Sequence, residues 1–234
     1  MKPIRWGIVG LGNIAHKFAA DLALVPDAIL HAVASSDFSR AVVFSKQFGA
    51  AHQYSNYDDL FSNPEVDAVY IASVHPLHKS LSVKAMKMGK AVLCEKPMGM
   101  HADQVREMIT TAKACNVFLM EALWTRFNPA FEQVQHWIDE NEIGPLRYVN
   151  STFSFNGLDR GVDSRVFNPE KGGGSLLDIG IYPLFLAYSF LGYPKDIKAS
   201  AVLTKENVDE QLGFIFSYDK AQAMLYSSFA HNED

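Results

Sequence analysis

Trp6-Gly7-Ile8-Val9-Gly10-Leu11-Gly12-Asn13-Ile14-Ala15 is the stretch that decides the fold of this 234-residue chain. An apolar run over residues 4–9 ends in a glycine-rich turn, and a helical pattern over residues 14–24 begins directly after it. In that strand-turn-helix setting, Gly10-x-Gly12-x-x-Ala15 has the spacing of a phosphate-cradling fingerprint. Gly10 allows the tight turn. Gly12 lets the backbone approach a pyrophosphate, and Ala15 permits close packing of helix on strand. The amides of Asn13 and Ile14 open the helix, where partial positive charge collects. A glycine turn without a ligand is the plainer alternative.

Outward from this turn, strand and helix patterns alternate. Residues 29–34 read as a second strand and 38–48 as a helix that Gly49 stops. Strand-like residues 66–72 precede a helix over 77–88 that ends at Gly89. A strand over 91–94 precedes a helix over 101–115, with Val105, Ile109 and Ala112 on one face, and residues 117–123 close the series. This alternation predicts right-handed βαβ units around a parallel sheet. The rhythm then changes. An amphipathic helix over 128–140 and a Gly144-Pro145 turn lead to an alternating strand over 146–155. Gly172-Gly173-Gly174-Ser175 introduces an apolar run over 176–191, and β-rich stretches follow at 197–203, 212–218 and 221–229. Asp219-Lys220 suits a hairpin turn between the last two. The expected fold class is α/β: a Rossmann-type parallel sheet in residues 1–123, then an α+β domain in 124–234 with a mostly antiparallel sheet.

The formal net charge is −5. Acids and bases are interspersed, which argues against nucleic acid or an anionic membrane as partner. Cys94 and Cys115 sit in apolar segments without metal-ligand spacing and read as reduced thiols of a cytosolic protein. No run of ~18 apolar residues is uninterrupted by polar groups. A soluble cytoplasmic protein without a metal site is expected, because the histidines and acids show no ligand constellation along the chain.

Which dinucleotide the cradle takes depends on the end of the second strand, where an NAD site usually presents an acid to the ribose. Here Ser35 and Ser36 hold those positions and Asp37 comes slightly late. Ser35, Ser36 and Arg40 suit the 2′-phosphate of NADP, with Asp37 capping the next helix. In the alternative, Asp37 holds the ribose of NAD and Arg40 is a solvated charge. Ile71-Ala72-Ser73-Val74-His75-Pro76-Leu77-His78 follows the third strand, where the small Ala72 lets a cofactor lie close to the backbone. His78 is a candidate for the cofactor ribose, or a structural histidine. Ala91-Val92-Leu93-Cys94-Glu95-Lys96-Pro97 brings a Glu-Lys pair to a strand end, at the crevice of such a sheet.

The glycine fingerprint, the loop from Ala72 to His78, Glu95-Lys96-Pro97 and Asp178-Ile179-Gly180-Ile181-Tyr182 occur together in that order. In this the chain resembles the Gfo/Idh/MocA family of pyridine-nucleotide oxidoreductases. Met120-Glu121-Ala122-Leu123-Trp124-Thr125-Arg126-Phe127 and Tyr182 are similar to its dihydrodiol and D-xylose dehydrogenase branch. Many other members have histidine at the tyrosine position. The resemblance implies a cis Lys96-Pro97 bond. Members are generally longer, so it also implies that this chain stops inside the second sheet, as a fragment or as a shortened protein with an incomplete pocket. A cut sheet would expose an edge or an apolar face. Self-association through the C-terminal sheet, as a dimer or larger homo-oligomer, is the expected assembly.

Oxidising a secondary alcohol needs a base within hydrogen-bond reach of the hydroxyl. Tyr182 serves if it ionises, and the Lys96 ammonium would favour the phenolate. Asp178, one helical turn before Tyr182, would orient the lysine or hold a substrate hydroxyl. Pro183 disfavours helical geometry at Tyr182, so a kink is expected there. Trp124, Phe153 and Phe155 are candidate walls for a flat, partly apolar ring, a pyranose or a dihydroxylated cyclohexadiene. Arg126 is a candidate for the cofactor or a substrate oxygen. The reading is an NADP-dependent dehydrogenase, with NAD possible, acting on a small cyclic polyol, aldose or diol. A non-catalytic dinucleotide sensor and an NAD-dependent glycoside hydrolase are the alternatives.

Overall fold

The apolar run ahead of the glycine turn is strand β1 (Ile4–Val9), and it lies inside a six-stranded parallel sheet. The other strands are β2 (Ala28–Ala34), β3 (His52–Tyr54), β4 (Ala68–Ile71), β5 (Ala91–Glu95) and β6 (Leu119–Ala122), in the order β3-β2-β1-β4-β5-β6. The order reverses between β1 and β4, and at such a switch point the strand ends leave a crevice. The structure is a computed structural model that describes residues 2–161 and 163–233. It divides into two units, Met1–Ala122 and Leu123–Asp234.

Alternation along the central strands builds two cores. Val9, Ala34, Val69, Ile71, Val92 and Cys94 face one side, with Leu81, Met86 and Met108 packed over them. Ile8, Val33 and Tyr70 face the other, against Ala15, Ala19, Ala41 and Phe44. The first layer carries α4 (His78–Lys87) and α5 (Ala102–Cys115); the second carries α1 (Asn13–Leu22) and α2 (Phe38–Phe48). Burial on both faces is why these strands read as continuous apolar runs. Strand β3 and the short α3 (Tyr57–Ser62) were not expected. Three residues of edge strand and six of helix are too few to establish a period. An Asn56 cap, accepting from the Asp58 amide at 2.9 Å, starts α3.

The second unit contains α6 (Pro129–Asp139), β7 (Tyr148–Ser154), α7 (Ile181–Leu191), β8 (Asp196–Leu203), β9 (Asp209–Ser217) and β10 (Gln222–Ser228). Its four strands run in the order β7-β10-β9-β8, with β7 and β10 parallel and the other pairs antiparallel. Tyr218 donates its amide to the Ala221 carbonyl across the Asp219-Lys220 hairpin, at 3.0 Å. Helix α7 covers one face, where Ala187 packs with Val149, Phe216, Ala223 and Leu225. On the opposite face Ile215 and Met224 pair across β9 and β10 and stay exposed. Every residue of β8 is exposed.

One expectation for the segment leading into α7 needs correction: Tyr182 is helical. A π turn (Leu176–Gly180) comes first and passes directly into α7, with Pro183 buried in its first turn. Proline lacks an N–H to give, and in the first turn of a helix that donor has no intrahelical partner to lose. Pro169–Leu191 is long and apolar enough to cross a membrane by length and composition. Its burial of Ala187 against the sheet and of Asp178 in an ion pair is that of a core helix.

Candidate active site

The two glycines of the fingerprint are glycines for different reasons. Gly10 has φ +86°, and a Cβ there would lie 2.7 Å from the backbone of Ala72 and Ser73. No other residue fits that turn. Gly12 has an ordinary φ of −87°, and a Cβ on it would meet nothing within 4 Å. The chain itself gives no reason for glycine at 12. A group lying against the backbone from outside does. Helix α1 begins there without a side-chain cap and without an acidic residue in its first turn. Its opening amides, at Asn13 and Ile14, therefore present positive charge to an anion. The cradle fits the pyrophosphate of a dinucleotide.

At the end of β2, Ser35 is buried and its hydroxyl accepts the Asp37 amide at 3.2 Å. Asp37 is committed to capping α2, accepting from the Ser39 amide at 2.9 Å and the Ser39 hydroxyl at 2.6 Å. The Ser39 hydroxyl, more than Arg40, holds this carboxyl below its ordinary pKa. Arg40 reaches back to donate to the Leu11 carbonyl at 2.7 Å, so its guanidinium hangs over the glycine loop. Ser36 is exposed beside it.

Half-buried acids organise the ends of β4, β5 and β6. Tyr70 donates to Glu95 Oε1 at 2.5 Å, and the Lys96 amide donates to Glu95 Oε2 at 3.2 Å. The Met98 amide donates to Glu121 Oε1 at 2.6 Å. Burial raises the pKa of both carboxyls, and the Lys96 ammonium opposes the shift at each. The lysine thus sits in the field of two carboxylates, a natural partner for either. The Lys96-Pro97 bond is cis.

This arrangement commits the side chains of both Glu95 and His78 within the first unit. Glu95 is an internal brace, each carboxylate oxygen taken up by a neighbour in its own unit. His78 is wholly buried, with Nδ1 2.8 Å from the Pro97 carbonyl oxygen and Nε2 2.9 Å from that of Ser73. It cannot reach a ribose. It ties the loop after β4 to the loop after β5, and burial holds its pKa below the ordinary value against the pull of those two carbonyls. Ala72, whose backbone packs on Gly10, donates its amide to the Val9 carbonyl at 2.8 Å.

In the second unit Tyr182 lies between two of the expected walls. The Trp124 indole N–H donates to the Tyr182 phenol oxygen at 3.3 Å, and the Phe153 ring stands 5.4 Å from the Tyr182 ring. Alternation in β7 turns Phe153 toward α7, which is how the contact arises. Trp124 is 63% exposed, leaving an open aromatic surface beside the phenol. Phe155 is not part of this wall. It lies past the end of β7, 5.0 Å from Phe229 and under the Arg160 guanidinium, in a small core with Val166 and Phe167.

Asp178 is held by a partner that sequence reasoning missed. Arg165 grips it through two parallel bonds of 2.9 and 3.0 Å, with the carboxylate side chain 8% exposed. That bidentate pair makes Asp178 a brace for the π turn ahead of Tyr182. Asp209 is a second missed support, accepting from the Ser175 hydroxyl at 2.9 Å and the Leu176 amide at 2.6 Å. Neither partner is near Asp178 or Ser175 in sequence, and no periodic signal marks them. Arg126, on the 3₁₀ turn Trp124–Phe127, lines a groove with Phe131, Glu132 and Tyr188.

Residues 4–123 match the family described as an oxidoreductase family with an NAD-binding Rossmann fold, and residues 131–234 match the GFO/IDH/MocA C-terminal domain. The chain belongs to the Gfo/Idh/MocA family. Among curated members, the trans-1,2-dihydrobenzene-1,2-diol dehydrogenase of Xenopus tropicalis is 35% identical, over 96% of this chain and 68% of its own length. The Mus musculus enzyme of that name is 39% identical, over 92% of this chain and 65% of its own. The chain thus spans about two thirds of these relatives. Among solved members, a 3-ketoreductase from Actinomadura kijaniata in complex with NADP is 28% identical. It has a TM-score of 0.85, covering 99% of this chain and 70% of that one. An aldose-aldose oxidoreductase from Caulobacter crescentus is 26% identical with a TM-score of 0.91, over 99% and 72%.

Histidines and acids scattered along the sequence do meet, away from this crevice: His31, His52 and Glu65 present ligand atoms all within 4.8 Å of one another.

Proposed function

We propose that the chain is an NADP-dependent dehydrogenase that oxidises a secondary alcohol of a cyclic polyol, an aldose or a trans-dihydrodiol. The observation that carries this reading is the Tyr182 phenol, held by the Trp124 indole and flanked by Phe153. An indole N–H can only donate, so the phenol oxygen accepts from it and its own proton is directed elsewhere. A bound nicotinamide supplies the hydride acceptor. Tyr182, as phenolate, takes the proton of the substrate hydroxyl while the carbonyl forms, and the Trp124 N–H steadies that oxygen. The Lys96 ammonium is assigned to the same oxygen pair, favouring the phenolate and, in reverse, polarising a carbonyl. The reading requires the phenol and the ammonium to serve the same reaction.

Support for NADP comes from β2. The one nearby acid, Asp37, is used as a helix cap, and Arg40 is placed over the glycine loop. A cation there suits a 2′-phosphate. The aromatic surface of Trp124 and Phe153 suits a flat ring, in keeping with the names of the diol dehydrogenase relatives. Self-association is assigned to the open face of the second sheet, where Ile215 and Met224 are exposed.

The test is NADP reduction with a panel of trans-diols, aldoses and inositols, followed at the reduced-nicotinamide absorbance band. Tyr182→Phe and Lys96→Met should each lower turnover by about 100-fold or more. Near-normal rates in either variant would remove that residue from its role. Tight NADP binding with no turnover on any substrate would replace the enzyme with a sensor.

A further inference from the structure

We infer that the first unit carries a site for a late first-row divalent cation of the zinc type, built from His31, His52 and Glu65. It lies toward the N-terminal end of the parallel sheet, at the other end of the strands from the glycine loop. His31 comes from β2, His52 opens the neighbouring edge strand β3, and Glu65 stands in the turn before β4. His52 is registered opposite Ala32, the residue after His31, and a register irregularity at His31 accompanies imidazole centroids 4.9 Å apart.

Three observations point to a ligand. His31 Nε2 is shut off from solvent and has no hydrogen-bond partner among the described residues. A buried ring nitrogen without a partner is costly to leave unsatisfied. It is aimed at Glu65 Oε2, 3.5 Å away, while His52 Nε2 lies 4.0 Å from the same oxygen. Donors bound to one tetrahedral zinc at ~2.0–2.1 Å stand roughly 3.3 Å apart. The His31–Glu65 pair is already close to that separation. His52 and Glu65 are 44% and 56% exposed at the side chain, so both are free to close the remaining gap around the fixed His31.

Glu65 is also oriented from behind. Arg5 Nη1 lies 3.4 Å from its Oε1, and Arg5 is itself clamped by Asp67 through Nε and Nη2, at 3.0 and 3.1 Å. The guanidinium takes one carboxylate oxygen and leaves the other toward the histidines, the outer support that metal-binding carboxylates commonly have. Two imidazoles and one carboxylate favour a borderline ion such as zinc over magnesium or calcium, which prefer all-oxygen shells. A cation here would join three segments and pin the three-residue edge strand β3 to β2.

The test is calorimetric titration of the chelator-treated full chain with zinc sulfate, alongside thermal melts with and without zinc. One zinc per chain and a higher melting temperature with the metal are expected. His52→Ala and Glu65→Gln alter exposed side chains and should each weaken binding at least ~10-fold while keeping the metal-free circular dichroism of the parent. Cobalt titrated into the parent should give the intense visible bands of a four- or five-coordinate ion. No saturable zinc heat, a six-coordinate cobalt spectrum, or undiminished zinc binding by the double variant would each overturn the site.

Discussion

The six-stranded sheet of the first unit is covered on both faces, whereas the four-stranded sheet of the second is covered on one. The difference goes beyond packing. In the first unit the strands spend their side chains on two cores, and the chemistry is left to the loops at their C-terminal ends. In the second, the helix that covers the sheet also carries Tyr182, the proposed base, and a strand residue, Phe153, helps to frame it. One unit has the fold of an NAD-binding Rossmann domain, buried on both faces of its sheet. The other keeps an open sheet face.

That contrast can be broken by mutation. Phe44 is buried to 1% exposure in the first unit, and Phe44→Ala should cost about 3–5 kcal/mol in urea unfolding. Met224→Ala, on the open face of the second sheet, should change stability by only ~0.5 kcal/mol at chain concentrations too low for self-association. A larger loss that grows with chain concentration is expected only where the proposed self-association covers this face.

The glycine loop sharpens the same point at single residues. Gly10→Ala should lose both stability and cofactor, because its Cβ strikes the Ala72 backbone at positive φ. Gly12→Ala should leave the thermal midpoint nearly unchanged and weaken NADP binding by roughly 10-fold or more, since backbone approach is what it removes. Unchanged NADP affinity in Gly12→Ala, read by fluorescence titration with the reduced cofactor, would place the phosphates elsewhere.

A smaller effect concerns Glu95. Burial raises its pKa in the fold, so the folded state binds its proton more tightly than the unfolded chain does. Its charge therefore costs stability in full above the raised value, and that cost disappears below the ordinary glutamate range near ~4.3. Glu95→Gln keeps an acceptor for Tyr70 and removes the charge. It should gain on the parent at pH ~7 and lose that advantage at pH ~4, in paired denaturant melts at each pH. An equal difference at both would refute the burial argument.

The smallest effect is chemical. Cys94 is fully buried and its thiol is pushed up to about 12, chiefly by burial, whereas Cys115 is partly exposed. A thiol reagent should label Cys115 in the native chain and Cys94 only on unfolding. Early loss of both would contradict the packing of β5.

Much of this was legible because βαβ alternation writes each element into its own short stretch of sequence. Helix α2 agrees with its expected span, from Asp37 at the cap to Gly49 in the left-handed region. Strand β3 and α3 escaped because neither is long enough to hold a pattern. At the site, residues fixed by local rules could be read, as with Gly10, whose turn allows nothing else. Residues defined by a distant partner could not. His78 looked like a cofactor ligand until Ser73 and Pro97 claimed both its nitrogens, and Arg165 and Asp209 gave no local sign of what they hold.

The account stands on the proposal that the Lys96 ammonium and the Tyr182 phenol serve one reaction. A double-mutant cycle in turnover, with Lys96→Met, Tyr182→Phe and both together, measures that directly. If the two groups work as a unit, the double variant should be little slower than the worse single variant. Losses that simply multiply would show two residues acting apart, and the shared site would have to be abandoned.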